Sequence, residues 1–331
     1  MRRALRRPQL LANESVTVVT NLQNYAAKPL FRDPNFDGAA DPVVIYNRQR
    51  AAWWLVYTNR RANAPGLVGV SYVHATHLGI AESTDGGLTW QYYGIMNLPI
   101  GGPEDSHWAP EILFHDGLYH MFLSFVPGIH EDWGGTREMH HLTSTDLENW
   151  QHQSELALSS NRVIDACVFR LPGGTWRMWY NNEPDNKAIN YADSPDLFTW
   201  QDCGKATGDV PGEGPYVFEW HGYFWMIVDI WKGLAVYRSA DAENWHRQPF
   251  SILEEPGTGE DDCVKGGHAM VQVSGERAYL FYFTHPGRVP HAGDADCYDT
   301  RRSSIQVTEL EFDGAWINCD RNRPVPIALT P

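Results

Sequence analysis

The chain has 331 residues, of which 43% are hydrophobic and 20% charged, so it can bury a sizeable core in one large domain or two ordinary ones. A formal net charge of −15 and a pI near 5.3 argue against nucleic acid and anionic membrane surfaces as partners. Five widely spaced cysteines without a CxxC pair argue against a zinc site or a dense disulfide framework.

The amino-terminal segment, residues 1–30, shows little hydrophobic periodicity and is interpreted as a strap that leads into the fold. It contains basic residues but lacks the apolar run of about 7 to 15 residues that a signal peptide requires. No stretch of the chain approaches the roughly 18 to 20 apolar residues of a membrane span. These features predict a cytoplasmic protein in which residues 31–331 form a single domain.

A pattern of three strands then recurs along the chain. Each copy begins with a short apolar strand, continues after a turn with an aromatic-rich strand, and closes with a third strand and a polar turn that ends at a Trp. The five opening strands are DPVVIY at 41–46, APEILF at 109–114, DACVFR at 165–170, GPYVFE at 214–219 and HAMVQV at 268–273.

Five such copies, without a convincing amphipathic helix, predict an all-β protein. Antiparallel units that repeat every ~45 to 70 residues are typical of a β-propeller. The sequence therefore predicts a five-bladed β-propeller around a central channel. The tryptophans that close the copies recur at the same place in each and are predicted to pack the scaffold. They are Trp90, Trp150, Trp200, Trp245 and Trp316.

The starts of the opening strands carry acidic side chains. In a propeller the first strand of each blade lines the axis, so these starts converge at one mouth of the channel. Asp41, Asp165 and Glu213 lie at or just before such starts, and so does His268. Three carboxylates on an aromatic-lined funnel suit glycoside hydrolysis, which needs one carboxylic acid to protonate the leaving oxygen and one carboxylate to activate water or attack carbon.

Four short motifs, each on a different blade, resemble those of glycoside hydrolase family 43 and of the similar five-bladed propeller families around it. The resemblance covers about residues 31–316 and implies a glycosidase that acts on an oligosaccharide and requires no cofactor. The motifs are Ala40-Asp41-Pro42-Val43, Trp108-Ala109-Pro110-Glu111-Ile112, Ile164-Asp165-Ala166-Cys167-Val168-Phe169 and Glu213-Gly214-Pro215.

This resemblance implies a role for each of the three carboxylates. Asp41 would be the general base that activates water, Glu213 the general acid, and Asp165 a third carboxylate that raises the pKa of Glu213 and helps to orient it. The family pattern is inverting, so we expect the carboxyl groups of base and acid to lie roughly 6.5 to 9.5 Å apart, with room for a water molecule.

Two other aspartates compete with Asp41 for the role of base. Arg32-Asp33-Pro34 matches an RDP motif that carries the base in some relatives, and Asp37 follows shortly after it. Asp41 is preferred, because the apolar residues VVIY of the first inner strand follow it after one proline, whereas NFDGAA separates Asp33 from that strand. An Asp beside Pro or Gly also suits a simple turn or cap, so the alternatives stay open.

Four further residues are candidates for binding the sugar. His107 and Trp108 precede the second inner strand and would wall the subsite, although Trp108 equally suits packing between blades. His268 corresponds to a histidine that in many relatives lies at the channel, on a calcium or sodium ion or a water; the alternative is a hydrogen-bonded core histidine, since calcium prefers oxygen ligands. Arg288 would donate to sugar hydroxyls, or is an exposed loop residue.

Three other functions fit parts of the sequence. Residues 83–90 match the S-x-D-x-G-x-T-W box of sialidase propellers, but that box is a turn motif, and a sialidase also needs an arginine cluster and normally six blades. A glycoside phosphorylase would need a basic phosphate pocket, whereas the inner strand starts are acidic. A non-catalytic carbohydrate-binding propeller would have lost the acid or the base.

The sequence therefore favours a hydrolase for polysaccharide degradation. We expect exo-acting removal of terminal arabinofuranose, xylose or galactose-type sugars from plant or algal oligosaccharides, because long loops rich in His, Gly and Arg suggest a closed pocket. A structural calcium or sodium ion in the channel and association into a homo-oligomer are left open.

Overall fold

Within the described residues, 24–289 and 296–331 of this computed structural model, twenty strands form five antiparallel sheets of four strands each. The strands of every sheet follow chain order, so each sheet is one blade. The predicted strap at residues 1–30 lies mostly outside the described residues.

The first three blades cover residues 39–207. The first blade consists of β1 (Ala39–Asn47), β2 (Ala52–Asn59), β3 (His77–Ser83) and β4 (Gln91–Ile95). The second consists of β5 (Ser106–His115), β6 (Leu118–Val126), β7 (Glu138–Ser144) and β8 (Trp150–Glu155). The third consists of β9 (Val163–Arg170), β10 (Trp176–Asn182), β11 (Ala188–Ser194) and β12 (Gln201–Thr207).

The last two blades cover residues 213–319. The fourth consists of β13 (Glu213–Trp220), β14 (Tyr223–Asp229), β15 (Leu234–Ser239) and β16 (His246–Arg247). The fifth consists of β17 (Gly267–Ser274), β18 (Arg277–Thr284), β19 (Ser304–Phe312) and β20 (Ile317–Cys319). A 3₁₀ turn (Ser71–Val73) and the four-residue helix α1 (Tyr298–Arg301) lie in loops, and no helix among the described residues is long and apolar enough to cross a membrane.

The first strand of each blade lies innermost. These strands contact one another in turn, from β1 through β5, β9 and β13 to β17, and β17 contacts β1 again. Each of the five opening strands predicted from the sequence lies inside one of these innermost strands. The predicted all-β, five-bladed propeller is therefore confirmed.

A common turn follows the third strand of every blade. In each turn an Asp carboxylate accepts backbone N–H groups from residues two to four positions later, which closes a compact loop. The indole N–H groups of Trp90, Trp150 and Trp200 donate to the carbonyl three residues earlier. The box at residues 83–90 is thus a turn of the scaffold. The five aspartates are Asp85, Asp146, Asp196, Asp241 and Asp313.

Each innermost strand contains an irregularity near its start. The register of pairing with the second strand shifts there in all five blades, as in a β-bulge. In four blades the bulged residue has a positive φ: Asp41 (50°), Ala109 (38°), Asp165 (62°) and Gly214 (57°). A bulge re-aims the side chains beside it, so the same backbone device sets the direction of the side chains at the mouth of the channel.

The ring is closed by segments from both ends of the described chain. Phe31 forms an antiparallel bridge with Ile305 of β19, and Gly38 forms a parallel bridge with Ser303. In the carboxyl-terminal tail the alternate residues Val325, Ile327 and Leu329 are buried in the cluster between the first and fifth blades. The tail therefore fills the seam where the last blade meets the first.

Removing apolar volume from this seam is expected to destabilise the whole ring. We expect Leu329→Ala to lower the free energy of unfolding by about 2 to 4 kcal/mol, because the side chain is buried and its loss leaves a cavity. Urea unfolding measures the change. Ala328→Ser, at the exposed neighbouring position, is the control and should stay within about 0.5 kcal/mol of the wild type.

Candidate active site

A cavity of about 410 Å³ lies where the innermost strands begin. Part of its wall comes from the starts of those strands. Another part comes from residues at or after the ends of the second strands, because in an antiparallel pair the end of the second strand lies beside the start of the first. The carboxylates that the sequence placed at one mouth of the channel all line it. The lining residues are Asp41, Arg60, Val73, Trp108, Trp133, Arg162, Ile164, Asp165, Glu183, Lys187, Glu213, Trp231 and His268.

Asp41 is buried at the bulge of β1 and is held by a guanidinium group. Nη2 of Arg60 donates to both of its carboxylate oxygens, at 3.0 and 3.1 Å. Burial alone would raise the pKa of Asp41, but the positive charges of Arg60 and His268 hold that pKa below its usual value. Asp41 is therefore ionised at neutral pH and free to accept a proton.

Asp165 is buried at the corresponding bulge of β9. Its Oδ2 accepts the backbone N–H of Gly214 at 3.0 Å, and its own N–H donates to Oγ of Ser124 at 2.9 Å. Burial raises the pKa of Asp165, and the negative charge of Asp41 adds to that effect, while His268 opposes it. Asp165 thus places a carboxylate directly against the backbone that carries Glu213.

Glu213 begins β13 and leaves 28% of its side chain exposed to the cavity. Its Oε1 accepts the indole N–H of Trp231 at 3.0 Å, and Nζ of Lys187 lies 3.7 Å from Oε2. Burial, the charge of Asp165 and that of Asp229 raise the pKa of Glu213 to about 7, although Lys187 and Trp231 act in the opposite direction. Glu213 can therefore carry a proton near neutral pH.

The glycine after Glu213 is required by its surroundings. Gly214 has a φ of 57°, and a Cβ added there would lie 2.8 Å from Cγ of His268. No larger residue fits without moving the imidazole, so this glycine brings the acidic strand start close to the fifth blade. The turn that presents Glu213 is thus fixed by backbone geometry as well as by hydrogen bonds.

Comparison with protein-family models gives no match for this sequence. Among characterised and curated proteins, the chain is similar to a probable arabinan endo-1,5-α-L-arabinosidase C of Aspergillus niger. The two are 22% identical over 226 residues, which cover 61% of this chain and 68% of that protein.

Solved structures share the whole arrangement of blades. A thermostable family-43 glycoside hydrolase superposes with a TM-score of 0.62 at 16% identity, over 89% of this chain and 95% of that one. The chain has the family-43 glycoside hydrolase fold. An exo-1,5-α-L-arabinanase from a bovine ruminal metagenomic library gives 0.60 at 16% identity, over 88% and 99% of the two chains. A family-43 β-xylosidase/α-arabinofuranosidase from a compost microbial metagenome, in a calcium-free form with xylotriose, gives 0.59 at 13% identity, over 84% and 92%.

Within this family-43 fold, the competing aspartates lie apart from the cavity. Asp33 is buried in a turn, where Oδ1 accepts the N–H groups of Asn35 and Phe36 and Oδ2 accepts the hydroxyl of Tyr57 at 2.6 Å. Asp37 pairs with a guanidinium at 2.6 Å on the other side of that turn. Both carboxylates hold local structure, and of the three candidate bases Asp41 alone lines the cavity.

The candidate sugar-binding residues do not all line the cavity. Trp108 lines the cavity and donates its indole N–H to the carbonyl of Val73 at 2.7 Å. His107 is buried behind it, with Nε2 3.2 Å from the carbonyl oxygen of Ile100, and does not line the cavity. Arg288 lies in an adjoining cavity. Sugar contacts by any of these residues stay predictions.

Several residues of the site were not found from the sequence. Arg60, Glu183 and Trp231 follow the ends of second strands, which return to the mouth of the channel beside the first strands. The charged residue that follows two of the aromatic strands, in TNR at 58–60 and NNE at 181–183, is the signal that could have found Arg60 and Glu183. Lys187 is not marked by such a pattern, because its position is set by the loop between β10 and β11.

Trp133 is held at the cavity by a braced loop. Arg137 donates to the carbonyl of Trp133 at 2.9 Å and Arg162 donates to the same carbonyl at 3.0 Å. Both guanidinium groups pair with Glu183, at 3.0 and 3.3 Å, and Lys187 pairs with it at 3.1 Å. Glu183 therefore ties an aromatic wall of the cavity to the third blade.

His268 faces carboxylates, which bears on its predicted role as an ion ligand. Nδ1 lies 3.5 Å from Oδ1 of Asp41 and 3.9 Å from Oδ2 of Asp165. Burial would lower the pKa of His268, but these carboxylates raise it above the usual value, which favours the protonated ring. A protonated imidazole cannot bind a metal, so the surroundings of His268 fit an ion-paired cation better, and its metal role stays a prediction.

Another group of residues has the spacing of metal ligands. Among the described residues, Glu138, His140 and Glu155 offer ligand atoms that all lie within 4.8 Å of one another. They lie on β7 and β8, in the outer half of the second blade, and none of them lines the cavity.

Removing a negative charge or a positive charge near Glu213 should shift the pH profile of activity in opposite directions. If Glu213 must be protonated for activity, its pKa sets the alkaline limb of kcat/KM. Asp165→Asn removes a negative charge and so lowers the pKa of Glu213, which should move the alkaline limb to lower pH by about one unit. Lys187→Met removes a positive charge and should move the same limb to higher pH. Lys205→Met, which breaks an exposed ion pair, is the control. Limbs that move in the same direction would contradict this assignment.

Proposed function

We propose that the protein is an inverting glycoside hydrolase. The observation that carries the proposal is a pair of carboxylates in one cavity whose surroundings shift their pKa values in opposite directions. Arg60 and His268 lower the pKa of Asp41, whereas burial and the charge of Asp165 raise that of Glu213. Two carboxyl groups with separated pKa values are what a base and an acid of glycoside hydrolysis require.

In the proposed reaction a water molecule attacks the anomeric carbon while the bond to the leaving oxygen breaks. Asp41 takes a proton from the water, and Glu213 gives its own proton to the leaving oxygen. Since Oε1 of Glu213 accepts from Trp231, Oε2 is the oxygen that carries the proton. Once the proton has left, Trp231 and Lys187 stabilise the carboxylate that remains.

Exo action on a small terminal sugar is the preferred mode. The cavity of about 410 Å³ lies at the low end of ligand sites, and Trp108, Trp133 and Trp231 offer flat faces of the kind that stack on sugar rings. Similar proteins are named for arabinan and for xylosidase and arabinofuranosidase activities, which supports arabinofuranose or xylose as the terminal unit. Galactose-type units are the alternative.

The test is a panel of aryl glycosides and of arabino-, xylo- and galacto-oligosaccharides. Hydrolysis with release of one sugar at a time supports exo action, and proton NMR of the first-formed anomer supports or refutes inversion. Reactions with and without phosphate separate hydrolysis from phosphorolysis, in which a glycosyl phosphate would appear. Binding without any turnover would instead identify a carbohydrate-binding propeller and overturn the proposal.

A further inference from the structure

A second cavity, of about 750 Å³, adjoins the first. The two share four lining residues, Arg60, Trp133, Glu213 and Trp231, so the acid proposed above lies at their junction. A general acid must reach the oxygen of the leaving group. If Asp41 and Asp165 surround the sugar that is cleaved off, the second cavity lies on the side where the leaving group extends.

The wall of this second cavity carries two cations without an ion-pair partner. Among the described residues, no carboxylate oxygen lies within 4 Å of the side-chain nitrogens of Lys265 or Arg288. Arg288 is instead held by neutral groups, since it donates to the carbonyl of Thr300 at 2.8 Å and to the hydroxyl of Tyr72 at 2.7 Å. By contrast, Arg301 in the same wall is paired with a carboxylate.

The groups that face these cations compensate their charge only in part. Burial lowers the pKa of Lys265, while the negative charges of Asp229 and Glu213 raise it from beyond ion-pair distance. Both carboxylate oxygens of Asp229 accept backbone N–H groups, those of Trp231 at 2.7 Å and His268 at 2.8 Å. His285 lies in the same wall, and burial together with the nearby guanidinium of Arg288 holds its pKa well below the usual value, so the ring is neutral. Two cations that form no ion pair with a described residue therefore line the second cavity, which meets the first at Glu213.

We propose that Lys265 and Arg288 bind an anionic substituent, a carboxylate or a sulfate, on the sugar unit that leaves. This rests on the proposed glycosidase function and adds a substrate class to it: neutral terminal sugars attached to an acidic chain. Arg288 is positioned by Tyr72 and Thr300, and the flexible stem of Lys265 can follow the position of the anion. The acidic unit is recognised by charge, whereas the terminal sugar is recognised by aromatic faces.

The first experiment compares substrates that carry the same terminal sugar on three leaving units: a hexose, its uronic acid and its sulfate ester. We expect the wild type to prefer an anionic unit, and Lys265→Met or Arg288→Met to lower the ratio of kcat/KM values, anionic over neutral, by about tenfold. The preference should also shrink as salt is added. Lys232→Met, whose exposed ammonium group pairs with Glu254, is the matched control and should keep the wild-type ratio.

The second experiment measures binding without catalysis. Calorimetric titration with galacturonate oligomers, a sulfated galactose and neutral galactose should show binding of one anionic class to the wild type, weakened about tenfold in Lys265→Met. Hydrolysis without any preference for anionic leaving units would overturn the inference while the proposed function stands. Anion binding that depends on Lys265, without hydrolysis of any glycoside, would support the inference and contradict the proposed function.

Discussion

The variant Glu213→Gln is expected to hydrolyse an unactivated oligosaccharide about a thousand times more slowly than the wild type. Gln cannot donate a proton as a carboxylic acid does, while its amide oxygen can still accept the indole N–H of Trp231, so the local structure should persist. On an aryl glycoside with an acidic leaving group the loss should be far smaller, because such a group needs little protonation. The measurement is kcat/KM on both substrates.

The control for this variant lies on the same strand. Glu219 is an exposed glutamate of β13, outside both cavities, and Glu219→Gln should keep wild-type activity on both substrates. Equal losses on the aryl glycoside and the oligosaccharide with Glu213→Gln, or no loss on either, would contradict the role of Glu213 as proton donor.

The variant Asp41→Asn should lose activity to a similar extent on both substrates, by about a hundred- to ten-thousandfold. Activation of water is needed whatever the leaving group is, so a better leaving group cannot compensate for the lost base. Arg60 would also lose its ionic partner inside the cavity, and thermal unfolding should be measured beside activity to separate the two effects.

The alternative base provides the decisive comparison. Asp33→Asn weakens a buried turn that holds the hydroxyl of Tyr57, so it should lower stability while kcat of the folded protein remains. If Asp33→Asn abolished turnover without unfolding and Asp41→Asn retained it, the base would have to be reassigned.

The fold could be predicted because its information is local and repeated. Each blade carries its own apolar strand, aromatic strand and Asp-containing turn, so five weak signals support one another. The positions of Asp41, Asp165 and Glu213 at one cavity followed from the same repeat, since equivalent residues of a propeller share the same radius from the axis.

The partners of these carboxylates could not be predicted in the same way. Arg60 reaches Asp41 because the end of β2 returns beside the start of β1, and Lys187 reaches Glu213 from a different blade. Such contacts depend on side-chain length and on the distance between blades, which the repeat does not specify. Localisation, association into oligomers and the separation between the carboxyl groups of the proposed base and acid stay predictions.

The bulge that recurs in the innermost strands has a consequence for how such a site can change. Because Asp41, Ala109 and Asp165 share a positive φ at the same bulge, the ring provides three equivalent positions at which the main chain is alike and the side chain differs. Mutation can therefore add, remove or relocate a charge at the mouth without redesigning a loop. The fourth position, Gly214, has no room for a side chain beside His268. Of the three others, Ala109 carries no functional group and is the position at which to engineer a further one into this enzyme scaffold.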